Sequence, residues 1–382
     1  MPYGTGFAVK QALDLIEDSA TVIILYGDTP LIKTDTVNKL IKYHKEENNA
    51  GTVLTAILED VTGYGRIIRE ENGNISKIVE HRDATPSEQM IKEINSGIYC
   101  FNGALLKLAL NEINNNNAQG EYYVTDVIGI LKDKGYKVGA YIIEDSVEIH
   151  GVNSRVQLAF SETIMRDRIN QKFMVEGVTI IDPLNTYIEN SVKIGMDTII
   201  YPGVTIQGNT TIGENCIIKP NTRIKSSIIH DGVVVESSLI EDSIVEEGSC
   251  IGPNAHLRPK SHIGKDVKIG NFVEVKNAYI GDKSKAGHLS YIGDATIGKN
   301  VNIGCGVIFV NYDGRDKFHT NVGDNAFVGS NSNLVAPIEL ENWAYVAAGS
   351  TITKNVEEGA LSIARGQQRN ILGWVERKGK TL

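Results

Sequence analysis

From residue 188 onward an isoleucine returns every six residues: Ile188, Ile194, Ile200, Ile206, Ile212, Ile218 and Ile224. The period shifts phase and continues as Val245, Ile251, Leu257, Ile263, Ile269 and Val275, then as Ile297, Ile303 and Phe309, then as Val322, Val328 and Leu334. A repeat of this length is the signature of a parallel β-solenoid. Each six-residue unit supplies one short strand and one corner, with the aliphatic side chain pointing inward. Three units close a triangular coil, and coils stack at the ordinary interstrand spacing of ~4.8 Å. No coil buries its own core, so the array has to be long. Glycine often follows the aliphatic residue, as at Gly213, Gly252, Gly264, Gly270 and Gly298. We expect it, or asparagine, to relieve the backbone at the corner. This use explains why glycine reaches 38 of 382 residues, above the usual ~7%.

The first 154 residues carry a different pattern. The apolar, β-branched run 21–26 stops at Gly27-Asp28 and reads as a buried parallel strand. A helix is expected over 34–44, with Val37, Leu40 and Ile41 on one face, and strands over 51–57 and 94–101. Strands alternating with helices predict a mostly parallel α/β sheet. Residues 155–176 read as a packed linker helix, with Val156, Phe160, Ile164 and Phe173 on its apolar face. One polar segment, 311–320, interrupts the solenoid, and such loops on rigid scaffolds tend to carry function.

Composition removes several function classes. A net charge of −9 leaves no broad basic surface for nucleic acid or an anionic membrane. No apolar run reaches the length of a transmembrane helix. The opening residues resemble neither a signal nor a transit peptide. Cys100, Cys216, Cys250 and Cys305 lie far apart with no CxxC pair. This pattern fits reduced thiols of the cytoplasm better than a disulfide framework or a zinc site.

Short motifs punctuate both halves: Gly4-Thr5-Gly6, Tyr26-Gly27-Asp28-Thr29-Pro30-Leu31, Gly63-Tyr64-Gly65-Arg66, Val79-Glu80-His81, Ile94-Asn95-Ser96-Gly97, the stretch 116–123 and Gly151-Val152-Asn153, then Leu257-Arg258-Pro259, the stretch 270–274, the stretch 285–294 and Asn311-Tyr312-Asp313-Gly314. In this order and spacing the chain resembles, over essentially its whole length, the bifunctional N-acetylglucosamine-1-phosphate uridyltransferase / glucosamine-1-phosphate N-acetyltransferase family. The resemblance implies an α/β, Rossmann-like nucleotidyltransferase domain (1–154), the linker helix (155–176), a left-handed parallel β-helix (177–366) and a tail (367–382). The left hand comes from the resemblance, since it runs against the usual right-handed crossover.

The resemblance also implies the sites. In the solenoid, His288 is the general base for attack of a sugar amine on acetyl-CoA, a task suited to imidazole. Arg258 and Lys276 bind the sugar phosphate, and Tyr291 and Asn302 the sugar. Cys305, Asn311, Tyr312, Ser330, Ala348 and Arg365 contact acetyl-CoA. Lys317 faces the site of a neighbouring subunit in a homotrimer. In the first domain, Asp28 and Asn153 hold Mg2+, Gly65, Glu80, Asn95 and Asn153 hold the sugar nucleotide, and Gly4 and Thr5 hold its uracil. The implied substrates are glucosamine-1-phosphate, acetyl-CoA, UTP and N-acetylglucosamine-1-phosphate, in the cytoplasmic route to UDP-N-acetylglucosamine for cell-wall synthesis. No partner nucleic acid and no membrane insertion are implied.

One departure concerns the start. The family opens with a strand and a Gly-rich phosphate loop, and no such segment precedes Met1. Loss of uridylyl transfer in this chain is therefore the expectation, with acetyl transfer retained. Three alternatives stay open at this stage. A nucleotidyltransferase relative could use its solenoid only to oligomerise. A hydratase could place zinc on His256, His262 and His288, although the spacing differs from the HxxxxH expected. A degenerate scaffold would catalyse nothing.

Overall fold

The computed structural model describes residues 4–380; the opening Met1-Pro2-Tyr3 and the last two residues of the tail lie outside the described residues. Two compact units divide the chain, Met1–Met165 and Arg166–Leu382.

In the first unit, α1 (Thr5–Lys10) precedes β1 (Thr21–Ile24), α2 (Thr34–Glu46), β2 (Gly51–Ile57), β3 (Arg66–Arg69), β4 (Ile75–Val79), β5 (Glu93–Asn102), α3 (Gly103–Leu110), α4 (Asp126–Asp133) and β6 (Val138–Ile142). The sheet runs β4-β3-β5-β2-β6, with β1 also paired to β5. It corrects the expected mostly parallel sheet. Only β2 and β6 pair in parallel; β5 is antiparallel to β1, β2 and β3, and β3 to β4. The alternation of strand and helix did signal a common direction for β1, β2 and β6. What it could not signal is β5, which runs the opposite way between β1 and β2. The predicted buried strand at 21–26 is likewise corrected. Its β1 core is half-buried, and Leu25 beyond it is exposed. Deep burial belongs instead to β2 and β5, where Val53, Leu54, Ile94, Ile98, Tyr99 and Phe101 lose all exposure.

A helix, α5 (Arg155–Val175), follows, its first turn capped by Ser154 Oγ, which accepts from the Gln157 N–H at 3.2 Å. Its expected apolar face is not uniformly packed. Phe173 is buried, whereas Val156 is 81% exposed and Phe160 rests against the His150 ring at 5.1 Å.

The second unit is the parallel solenoid. Its strands are two to seven residues long, and each pairs in parallel with the same face of the next coil. Ile206, Ile224, Ile240, Leu257, Val275 and Ile292 form one such stack, and none retains any exposure. The phase shifts of the sequence disappear in this register. Where a corner loses a residue, the pairing still sets Ile218 on Val235 and Val235 on Ile251. Hydroxyls fill the inner corners, and several are satisfied by the next coil: Ser249 Oγ donates to Gly264 O at 2.7 Å, and Ser284 Oγ to Gly298 O at 2.8 Å.

The glycine after the aliphatic has a different purpose from the one expected. Of the five quoted, only Gly252 has a positive φ. The others are there for close approach. A Cβ on Gly264 would lie 2.7 Å from Asp282 Oδ1, and one on Gly270 only 2.0 Å from Gly287 O. The left-handed corner residue sits two positions later, as Asn215, Asp266 or Asn300, types that tolerate that conformation.

Candidate active sites

The coil register places Arg258 and Lys276 at the same point of successive coils, directly after the paired strand positions Leu257 and Val275. Gly293 follows in the next coil, opposite Lys276. The ring of Tyr291 covers Gly293, where a Cβ would meet its hydroxyl at 2.4 Å. Arg258 Nη1 donates to Glu274 Oε1 at 2.8 Å. Lys276 Nζ donates to Asp294 Oδ2 at 3.5 Å. Asp294 also accepts from Asn277 Nδ2 at 2.6 Å, and its Oδ2 from Asn311 Nδ2.

The 311–320 loop brings a third cation. Its stem closes through Tyr312 opposite Lys317 and through Phe318 N–H donating to Asn311 O at 2.9 Å. Within the single chain Lys317 lies beside Lys276. Its hydrogen-bonding contact raises Lys276 above the ordinary lysine range, with burial opposing and Asp294 adding to the rise. The same contact, followed by the Lys276 charge, pushes Lys317 down. Two lysines that repel when both are charged, with Arg258 near them, suit an anion that would let both keep their protons. Burial pushes the Asp294 carboxyl up, but hydrogen bonds from Asn277 and Asn311 and the charge of Lys276 overcome it and leave it below the usual carboxylate range.

His288 ends the strand Lys285–His288, opposite Asn271 of the preceding coil, and its side chain is exposed. It sits at the corner entering the strand Tyr291–Ile297, whose third and fourth residues are Gly293 and Asp294. Asn302 pairs with Lys285 one coil on. Cys305 is half-buried, and its carbonyl accepts from Asn331 N–H at 2.7 Å. Tyr312 is exposed on the loop. Ser330 and Ala348 occupy matching corners of successive coils, joined where Gly349 N–H donates to Ser330 O at 2.8 Å. Arg365 Nη1 donates to Ala348 O at 2.8 Å. The structure therefore gathers Arg258, Lys276, Tyr291, Asn311 and Lys317 in one cluster, and Ser330, Ala348 and Arg365 in a second row. His256 and His262 lie on different strands, hydrogen-bonded to Glu241 and Glu246. The residues that sequence reasoning missed are Glu274, Asn277 and Asp294. Only the fold shows that they pair with the cations and the loop.

In the first unit a cleft of about 320 Å³ is lined by Asp28, Gly65, Glu80, Asn95 and Asn153, together with Tyr26 and Gly97. Gly97, at φ +82, bulges β5, and a Cβ there would enter the Tyr26 ring at 2.2 Å. Asn95 is held from both ends: its Oδ1 accepts from Gly97 N–H at 3.0 Å, and its Nδ2 donates to Tyr99 OH at 2.8 Å. Gly65 leaves open the space between Asn95 and Glu80, since a Cβ would stand 3.5 and 3.6 Å from them. Burial raises Glu80, a Thr125 hydrogen bond opposes, and Asp83 and Asp126 add to the rise. Thr5 hydrogen-bonds the Tyr26 hydroxyl and accepts from Val124 N–H at 3.1 Å. Gly4 packs under the Tyr122 carbonyl, 2.5 Å from where a Cβ would be.

Asp28 and Asn153 flank Gly151, whose Cβ would stand 3.9 Å from Asp28 Oδ2 and 3.6 Å from Asn153 Nδ2. One carboxylate and one amide suit a magnesium ion that keeps water and substrate phosphate as its other ligands. Among the described residues no three His, Cys, Asp or Glu side chains converge on one point. No helix among them is long and apolar enough to cross a membrane.

The nucleotidyl transferase family model matches residues 1–150, the bacterial transferase hexapeptide (six repeats) model 191–226, and the GMPPB C-terminal domain model 239–361. The bifunctional protein GlmU of Clostridioides difficile (strain 630) is 59% identical over 377 residues, covering 99% of this chain and 82% of that protein. The chain belongs to the bifunctional GlmU family. GlmU of Alkaliphilus metalliredigens is 57% identical over 376 residues, and GlmU of Acetivibrio thermocellus 54% over 377; each alignment covers 98% of this chain and 82% of its relative. With coverage this complete, the GlmU likeness extends through both units.

Proposed function

We propose that the solenoid corner transfers the acetyl group of acetyl-CoA to the amine of glucosamine-1-phosphate. The observation that carries this reading is the convergence of Arg258, Lys276 and Lys317 beside Tyr291 and Asn311. Three cations against the carboxylates of Glu274 and Asp294 leave an excess positive charge for a phosphate. Tyr291, with Asn302 from the neighbouring strand, supplies neutral hydrogen bonds to the sugar. His288 removes the proton of the amine as its nitrogen attacks the thioester carbonyl. The C–N bond forms, the C–S bond breaks, and coenzyme A leaves as its thiol. Asn311, Tyr312, Ser330, Ala348 and Arg365 line the path of the coenzyme, and Arg365 faces its phosphates. Cys305 is a small contact there and forms no acyl-enzyme, because direct transfer requires none.

The first unit holds a sugar nucleotide through Gly4, Thr5, Gly65, Glu80 and Asn95. Asp28 and Asn153 would hold magnesium, which would supply charge neutralisation at the phosphoryl centre. The acetyl transfer serves UDP-N-acetylglucosamine formation in the cytoplasm, by a homotrimer whose solenoids share the acetyl-transfer site.

The test is one product assay. The chain is incubated with glucosamine-1-phosphate, acetyl-CoA, UTP and Mg2+, and products are read by mass. N-acetylglucosamine-1-phosphate is expected; a folded protein that forms none contradicts the reading. UDP-N-acetylglucosamine, dependent on UTP and magnesium, reports on the first unit separately.

A further inference from the structure

The third corner of the solenoid is a ladder of left-handed residues: Asp242, Lys260, Asn277 and Asp294, with φ between 42 and 65°. Asp242, Lys260 and Asn277 are exposed, as corner residues of a solvated prism should be. Asp294 retains only 8% of its surface. A carboxylate taken from water is costly unless every lone pair is used. Here Oδ1 accepts from Asn277, and Oδ2 accepts from Asn311 and, at 3.5 Å, from Lys276. The ladder below manages with exposed residues.

The consequence falls on Asn311, itself 7% exposed at the root of the loop. Its Nδ2 donates to Asp294 and faces Tyr291 OH at 3.5 Å, so both amide hydrogens are committed. A carboxylate cannot donate, so the amide cannot turn over. Oδ1 is left facing away, and it accepts from none of the described residues. A fixed acceptor and the Lys276 ammonium are thus held on one carboxylate. In glucosamine-1-phosphate the amine and the phosphate stand on adjacent carbons, which is the same pairing of a donor with an anion.

We propose that Asp294 is a positioning residue for acetyl transfer: it locks the amide of Asn311 so that Oδ1 accepts an N–H of the attacking amine. The inference rests on the acetyl-transfer reading above. Turnover by the unaltered chain tests that reading alone, and variants test Asp294. Steady-state kinetics are measured on the full chain, on Asp294→Asn, on Asn311→Ser and on the double variant. With Asn at 294 the amide of Asn311 is free to flip. The expected result is a kcat lower by about 10²-fold, the scale of lost orientation or of one lost polar contact, with KM for glucosamine-1-phosphate within about threefold. Asn311→Ser should show the same split, and the double variant should lose no more than either single one. A kcat within threefold of the unaltered chain for Asp294→Asn, or losses that multiply in the double variant, overturns the proposal. If Asp294→Asn does not fold, Asn311→Ser decides alone, since an unchanged kcat there leaves Asp294 nothing to position.

Discussion

Arg258 and Lys276 stand one above the other, each with a carboxylate beside it, and the exposure of these pairs separates binding from stability. Arg258 and Glu274 are about two-fifths exposed, and such pairs contribute ~0–1 kcal/mol to folding. Arg258→Ala should therefore leave the melting temperature nearly unchanged while raising KM for glucosamine-1-phosphate by at least ~10-fold, a loss of a charge-assisted contact. A calorimetric scan and a substrate titration on the same preparation check both halves. A second residue effect belongs to the first unit. Asp126 is pushed up to about 6 by burial and by the Asp83 charge. Its contribution to stability is complete below the unfolded value, near pH ~4, and is lost as pH rises through about 6. Asp126→Asn should accordingly raise the melting temperature at pH 7.5 and give no gain at pH 3.5; equal shifts at both pH values would contradict this assignment. Arg258, Lys276, Tyr291 and Asn311 were singled out in the sequence by the family resemblance. Asp294 stood in the same motif without a role, because its partners Asn277 and Asn311 lie on the coils before and after it, each 17 residues away.

At the scale of elements, the six-residue period was legible because a solenoid pairs each strand with its near neighbours in sequence. Every aliphatic then reports its own burial. The α/β unit gave less away. β5 enters between β1 and β2 from a distant part of the chain, and local periodicity carries no trace of strand direction. The glycines show a subtler limit. Sequence marks where they are, but their reason is the distance to the next coil rather than their own dihedral angles. Two neighbouring positions separate these causes. A Cβ on Gly270 would collide with Gly287 O at 2.0 Å, whereas one on Gly287 meets nothing within 4 Å. Gly270→Ala should cost about 1–3 kcal/mol, as overpacking does, and Gly287→Ala no more than ~0.5 kcal/mol. Chemical denaturation of the two variants gives the comparison; equal losses would mean that backbone freedom, not close approach, selects glycine here.

For the whole molecule, the corner beside His288 carries two bulky residues in the left-handed region, Phe272 and Leu289, 60% and 58% exposed. Apolar side chains held in an unfavourable backbone conformation at the surface fit a covered face, which accords with the proposed trimer. Sedimentation equilibrium should return three times the chain mass of 41.7 kDa; a monomer at assay concentration would refute a shared site. The central claim is that His288, on this corner, takes the proton from the substrate amine. The most direct test is the kinetics of His288→Ala with glucosamine-1-phosphate and acetyl-CoA. The kcat should fall by about 10²–10⁴-fold, with both KM values within a few fold and the melting temperature unchanged. A variant that folds and turns over at the unaltered rate would contradict it.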